Sequence, residues 1–371
     1  MAILLSFYAF IAIGIAEGGL GVLIPSISET YSLTSANITL LFLSQVTVYI
    51  FAALSSSILS NRIGLAKTLL IASITLALGL IIYASSPYWW LMVAAGSLLG
   101  LGIGLIDAGI NSYIANRQSQ ADLMGLLHGF YGIGALLGPA VATTSLALGL
   151  FWRSVYLVFA LVVGLFAIAM LCVVISDYKP LTKRIKKSDK TASANLGQAL
   201  KTPTVLLSGL LLSVYVGTEA SVGNWAYSVQ HISRNTPTLI AGYSVSVYWL
   251  GLTLGRFISG RFVKIWGANR TLNYSLILLS LSLIAWWLLP NQLISLPLIG
   301  IALAPIFPLT IWLTPQRIPT AIVPAAIGFI TSVASLGAAM IPSIAGYFAS
   351  RFGLEVIPVL MIPLALLMVV L

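Results

Sequence analysis

Residues 154–190 read SVYLVFALVVGLFAIAMLCVVISDYKPLTKRIKKSDK. The first 22 positions, 154–175, carry no charge and are almost entirely apolar. About 20 such residues make a helix long enough to cross a 30 Å hydrocarbon core. The apolar run then gives way to Lys179, Lys183, Arg184, Lys186, Lys187 and Lys190, with hardly a hydrophobic side chain among them. A spanning helix that runs into a basic, solvated segment decides the class of the whole molecule.

Composition outside this stretch agrees. Of 371 residues, 59% are apolar and 7% charged, against about 25% charged in an ordinary soluble domain. Mean hydropathy is +1.05. So little charge cannot cover a surface in water, which excludes a soluble enzyme, a disordered chain and a nucleic-acid-binding domain, despite the +10 balance. The apolar runs are long and unbroken, whereas barrel strands would read as alternating segments of about ten residues. The expected fold is therefore all-α and integral to the lipid bilayer. Twelve spans are predicted at 4–25, 37–59, 66–85, 88–115, 123–149, 154–176, 203–229, 239–261, 270–289, 293–313, 320–349 and 354–371. They divide into an N-terminal six-helix lobe (1–176), a basic linker (177–202) and a C-terminal six-helix lobe (203–371). The amino terminus has no basic stretch or cleavage pattern and reads as a retained first span rather than a signal peptide. The single cysteine, Cys172, excludes an intramolecular disulfide.

With both termini inside, 15 of the 18 Lys and Arg fall in inner connections, and only Arg153, Arg234 and Arg351 outside. The positive-inside rule favours that orientation, most naturally in a bacterial inner (plasma) membrane. The halves also echo each other. Glu17 has a counterpart in Glu219, Gly138-Pro139 in Gly337 and Pro342, and Ser60-Asn61-Arg62-Ile63-Gly64 in Ser259-Gly260-Arg261 with Gly267. A weak internal repeat around a basic linker marks a two-lobed transporter with its solute site near midplane.

This layout resembles the major facilitator superfamily, whose basic loop signature the turns after spans two and eight follow without its acidic residue. Within it, the chain is similar to the fucose permease-like sugar:cation symporters. Four stretches carry the likeness: Thr30-Tyr31-Ser32-Leu33-Thr34, Gly104-Leu105-Ile106-Asp107-Ala108-Gly109-Ile110-Asn111, Tyr215-Val216-Gly217-Thr218-Glu219, and Gly255-Arg256-Phe257. The resemblance implies a monomeric secondary transporter that moves a monosaccharide by symport with H+ or Na+ and alternating access. It implies no other cofactor.

Five acids, Glu29, Asp122, Asp177, Asp189 and Glu355, sit in connections or at span ends and read as solvated charges. Glu17, Asp107 and Glu219 lie inside spans, where carboxylates face wet cavities and do work, and the three are the candidates to carry the coupling ion. Asn111 follows Asp107 by four residues, so both project from one helix face. The same spacing in the fucose permease-like family implies that Asp107 serves proton coupling or sugar binding. A carboxyl group that loses and regains water as a cavity opens to either side can exchange its proton with the open side. That family's first-helix acid falls where this chain has Gly21, and Glu17 stands one turn earlier. Glu17 and Asp107 could equally hold sodium, since oxygen ligands suit hard cations. Backbone carbonyls near Gly18, Gly19 and Gly21 are available to help, and Pro25 is placed to kink the helix.

For the solute, Asn111, Gln45, Asn224, Trp225, Tyr131, Trp249 and Trp312 offer amides and rings of the kind a sugar needs. Trp225 could instead be an interfacial belt residue, and Trp249 and Trp312 could pack between helices or against lipid. Trp89, Trp90, Trp286 and Trp287 read as interface anchors. Arg62, Arg256 and Arg261 mark inner helix ends, as topology signals or as an inner gate, and His128 is read with them.

Rival readings stay open. A proton-coupled antiporter exporting drugs or metabolites fits the same fold. An enzyme would need a nucleophile–base or metal constellation, which two distant histidines and one cysteine do not supply. No phosphate-binding Gly-rich loop suggests direct drive by ATP.

Overall fold

In lipid every backbone N–H and C=O must be satisfied within its own segment, which leaves helices as the solution for apolar runs of this kind. The computed structural model describes residues 1–115, 120–182, 197–291 and 293–371, and among these it is almost entirely helical, without strands. Arg117, Asp189 and the linker positives Lys183, Arg184, Lys186, Lys187 and Lys190 lie outside the described residues, as does the side chain of Asp122.

The chain divides into two compact units, Met1–Lys186 and Lys187–Leu371. In the first, α1 (Ala2–Gly18) and α2 (Leu20–Tyr31) form one span bent by 40°. They are followed by α3 (Ser35–Ile63), α4 (Leu65–Ser85), α5 (Trp89–Ala115), α6 (Gln120–Ala147), α7 (Trp152–Ile175) and the short α8 (Lys179–Thr182). The second unit comprises α9 (Pro203–Ser228), extended by a π turn over Val229–Ser233, then α10 (Thr238–Trp266) and α11 (Ala268–Leu288). The tenth span is α12 (Ser295–Leu303) and α13 (Ile306–Arg317) in sequence, and α14 (Val323–Phe352) and α15 (Val356–Val370) complete the set. Among the described residues, eleven spans are long and apolar enough to cross a membrane, counting the bent pair as one, and the twelfth, α15, has 15 residues. Together they make the twelve-helix fold.

Each lobe repeats one packing scheme. In the first, α1 packs on α6, α3 on α5 and α4 on α7; in the second, α9 packs on α14, α10 on α12 and α11 on α15. Small residues permit these approaches, as close backbone packing in membranes requires. A Cβ at Gly134 would overlap the Ile11 carbonyl, and one at Gly337 the Ser213 carbonyl. Glu17 lies six residues beyond Ile11 and Glu219 six beyond Ser213, while Pro139 and Pro342 each lie five beyond those glycines. The two intramembrane glutamates therefore occupy equivalent positions. Likewise Gly100 meets the Gln45 carbonyl and Gly300 the Tyr248 carbonyl.

Large apolar side chains such as Phe51, Leu161, Ile175 and Val370 are exposed along the helices, a surface that suits lipid and not water.

Three expectations need correction. The first span breaks at Gly19 and not at Pro25. There the chain passes so close to Phe159 and Gly138 that a side chain would not fit. The eighth span continues to Trp266, five residues past its expected end at 261, so its arginines lie deeper than the sequence suggested. Trp286 is fully buried in the C-terminal lobe and is no interface anchor, unlike Trp90 and Trp287, which are exposed.

Candidate solute and coupling-ion site

In the N-terminal lobe, Gly100 and Gly104 on α5 let the α3 backbone at Gln45 and Tyr49 come into direct contact. That approach carries the Tyr49 side chain to Asp107. The Tyr49 hydroxyl donates to Oδ2 of Asp107 at 2.6 Å, and Nδ2 of Asn111 donates to Oδ1 at 2.8 Å. Both carboxylate oxygens thus accept a hydrogen bond, one from the neighbouring helix and one from the next turn of α5. The Oδ1 atom of Asn111 is buried and accepts nothing. A buried acceptor without a partner costs about 1–3 kcal/mol, so a donor from solute or water is favoured there.

The second acid lies across α1 and α6. Glu17 accepts a hydrogen bond at Oε2 from the Tyr131 hydroxyl, 2.9 Å away. Three residues earlier on the same helix, the exposed His128 meets Phe10 edge-on, with centroids 5.7 Å apart. The structure thus joins Glu17 to Tyr131 and, separately, Asp107 to Asn111. Gln45 is half-buried beside the Gly100 contact.

In the C-terminal lobe Glu219 meets an arginine. Nη2 of Arg256 is 3.6 Å from Oε2 of Glu219 and 3.5 Å from the Tyr215 hydroxyl. Tyr248 donates to the Glu219 backbone carbonyl at 3.0 Å. The sequence reading placed Arg256 at an inner helix end beside Arg62 and Arg261. It lies instead ten residues, about 15 Å, before the end of α10. Arg62 and Arg261 do sit near their helix ends, and both are exposed.

The aromatic candidates separate. Trp225 is buried, and its Nε1 donates to the Pro342 carbonyl at 3.0 Å. Pro lacks the N–H that closes a helical turn, and Trp225 braces α9 against α14 at that proline, so it is neither a belt residue nor an open ring. Trp249 is buried against Gly223, and its indole N–H lacks a partner. Trp312 is exposed and Asn224 half-buried. Tyr49, which the sequence did not single out, holds Asp107, and the Tyr215 hydroxyl lies 3.5 Å from the Arg256 guanidinium beside Glu219. A lone Tyr in an apolar helix carries no sign of which way it faces. Among the described residues no group of three His, Cys, Asp or Glu is gathered as a metal cluster.

The sequence pattern of the Major Facilitator Superfamily matches residues 5–320. The chain belongs to that superfamily. It is an integral multi-pass membrane transporter of a small molecule and not an enzyme. One relative is the Saccharomyces cerevisiae Bypass of stop codon protein 6, 25% identical over 95% of this chain and 77% of its own. Another is the Bacillus subtilis glucose/mannose transporter GlcP, 24% identical over 91% of this chain and 85% of its own. Among solved structures, the nucleoside transporter NupG superposes with a TM-score of 0.82 at 14% identity, covering 99% of this chain and 97% of that one. The D-xylose-proton symporter gives 0.76 at 16%, covering 99% and 96%. The E. coli fucose:proton symporter FucP gives 0.66 at 14%, covering 99% and 97%. These superfamily structures share the twelve-helix fold.

Proposed function

We propose that the protein moves a neutral monosaccharide by cation-coupled symport, its two lobes giving the solute alternating access to either side. It works as a monomer in a bacterial inner membrane with both termini cytoplasmic, as the distribution of Lys and Arg favours. Asp107 carries the coupling ion, H+ or Na+, with Glu17 as a second site in the same lobe. Asn111 presents its vacant acceptor to a solute hydroxyl beside Asp107, so one face of α5 serves both ion and solute. Gln45, Tyr131, Asn224 and Trp249 supply further polar contacts.

The observation that carries this reading is the Tyr49–Asp107–Asn111 arrangement. Its carboxylate is held at span depth by two neutral donors without a cation in the arrangement, beside an unfilled buried acceptor. An intramembrane acid of this kind exchanges an ion as its surroundings change. The relatives add support: GlcP carries glucose and mannose, and the xylose and fucose symporters share the fold and couple to protons.

Uptake of labelled D-glucose and L-fucose into proteoliposomes tests it, with a proton gradient and a sodium gradient imposed separately. Accumulation above equilibrium under one gradient is expected, and it names the ion. Uptake of neither sugar under either gradient would reject symport of these sugars and turn attention to proton-coupled export of another solute.

A further inference from the structure

Arg153 is a cation in an unfavourable place. It is the second residue of α7, at the positive end of the helix dipole, and that helix has no acid in its first turn and no side-chain cap. Among the described residues Arg153 pairs with no carboxylate. The other two arginines outside the inner connections are better provided for. Arg234 bonds Glu355 twice, and Arg351 lies exposed in the last turn of α14, where the dipole favours a cation. The half-buried Arg153 guanidinium is nevertheless held in place. Its Nη2 donates to the Ser86 carbonyl at 2.6 Å and to the Tyr31 hydroxyl at 3.1 Å, and that hydroxyl donates to the same carbonyl at 2.8 Å. Its centre lies 4.9 Å from the Trp152 ring and 5.3 Å from that of Phe151, near enough for the rings to steady a cation. All of these partners are neutral, so the charge is not compensated. Among the described residues, Nε is buried without a partner and Nη1 makes no bond to the protein.

We infer that Arg153 holds the phosphate of an anionic phospholipid at this end of the N-terminal lobe, with Nη1 donating to a phosphate oxygen. The length of α7 sets the level. Its 24 residues make about 36 Å of helix against a hydrocarbon core of about 30 Å. With the helix centred in the membrane, its second residue comes out among the lipid headgroups. Tyr88 and Trp90, just past Ser86, and Leu148 and Phe151, just before α7, are all exposed and form an apolar and aromatic collar for the acyl chains. A guanidinium matches phosphate oxygens in geometry and charge. A headgroup of net negative charge, such as phosphatidylglycerol, supplies the counter-charge that both Arg153 and the start of α7 lack. Inorganic phosphate offers the same oxygens without the chains, and the collar favours the lipid. Arg153 also ties α7 to Tyr31 of α2 and to Ser86 at the end of α4, so a bound lipid strengthens the joint between three helices. The inference concerns this joint and does not depend on which solute is carried.

The test adds phosphatidylglycerol or inorganic phosphate to the purified, delipidated full chain and follows thermal unfolding. Phosphatidylglycerol should stabilise the wild type saturably, and inorganic phosphate should not. Arg153→Gln should need about tenfold more phosphatidylglycerol for half the effect. Arg351→Gln, the same loss of charge at an exposed arginine, should need no more than the wild type. Equal responses of the wild type and R153Q would overturn the site. Equal weakening in the two variants would reduce it to bulk attraction between lipid and net charge, and would overturn it as well. Stabilisation by inorganic phosphate that R153Q loses would make this a site for a free anion and overturn the lipid assignment. Should R153Q not fold, the wild type decides through a phosphatidylglycerol with a photoactivatable headgroup. Labelling of residues 86–90 or 148–153 is expected, and labelling confined to other segments would overturn the proposal.

Discussion

The tyrosine at position 49 shows how one side chain sets the behaviour of another. Its hydroxyl occupies Oδ2 of Asp107, so the carboxylate keeps a fixed orientation toward α3 while Asn111 holds the other oxygen. A hydrogen bond to a charged acceptor is worth about 1.5–3 kcal/mol. Tyr49→Phe removes that bond and little volume. The expected result is a several-fold fall in gradient-driven accumulation with exchange of solute across the membrane retained; equal losses of both would assign Tyr49 to folding. Asp107 itself was legible in the sequence, because a carboxylate in an apolar run with an amide four residues on is chemically conspicuous. The Glu219–Arg256 pair was not. An arginine near a predicted helix end is ordinarily a topology signal, and only the longer course of α10 brings this one inward.

At the scale of helices, contact is set by the small residues. A Cβ at Gly337 would overlap the backbone of α9 at Ser213, and a backbone carbonyl cannot step aside as a flexible side chain can. Gly337→Ala should therefore destabilise the C-terminal lobe by about 1–3 kcal/mol, the usual cost of overpacking. Gly328→Ala on the same helix, where nothing lies within 4 Å, serves as the control. Thermal unfolding of the two purified variants measures the difference, and equal melting temperatures would refute the packing scheme. Hydropathy located the spans because each apolar run ends in Gly, Pro or charge. The break at Gly19 escaped it: Gly19 keeps helical angles (φ −74°, ψ −24°), and the cause lies on the facing helices α6 and α7. Such a cause has no local mark, whereas Pro25, the conspicuous breaker, sits inside α2.

Across the molecule, the repeat seen in a few sequence echoes is a repeat of packing. Glu17 and Glu219 stand at equivalent positions, yet one meets a tyrosine and the other an arginine. The same frame thus carries a different chemistry in each lobe. The C-terminal lobe is also tied at one end by Arg234, which bonds Glu355 twice, with Ser233 donating to the same carboxylate. Burial alone would push Glu355 up. The hydrogen bonds from Arg234, its charge and the bond from Ser233 outweigh that and hold the carboxyl below the usual value of 4.5. A lowered native value means stability that is present above the unfolded pKa and lost as pH falls through the folded one. The wild type should therefore lose melting temperature below about pH 4.5. Glu355→Gln should be less stable at pH 7 and lose less on acidification, and parallel pH profiles would discount the tie.

The most direct measurement is the accumulation ratio of labelled glucose in proteoliposomes containing wild type or Asp107→Asn, read under an imposed cation gradient and again as exchange at equal concentrations. Wild type should concentrate the sugar, and the variant should exchange it without concentrating it, because the solute contacts survive while the ion site does not. Normal accumulation by Asp107→Asn would contradict the assignment of the coupling ion to the N-terminal lobe's α5.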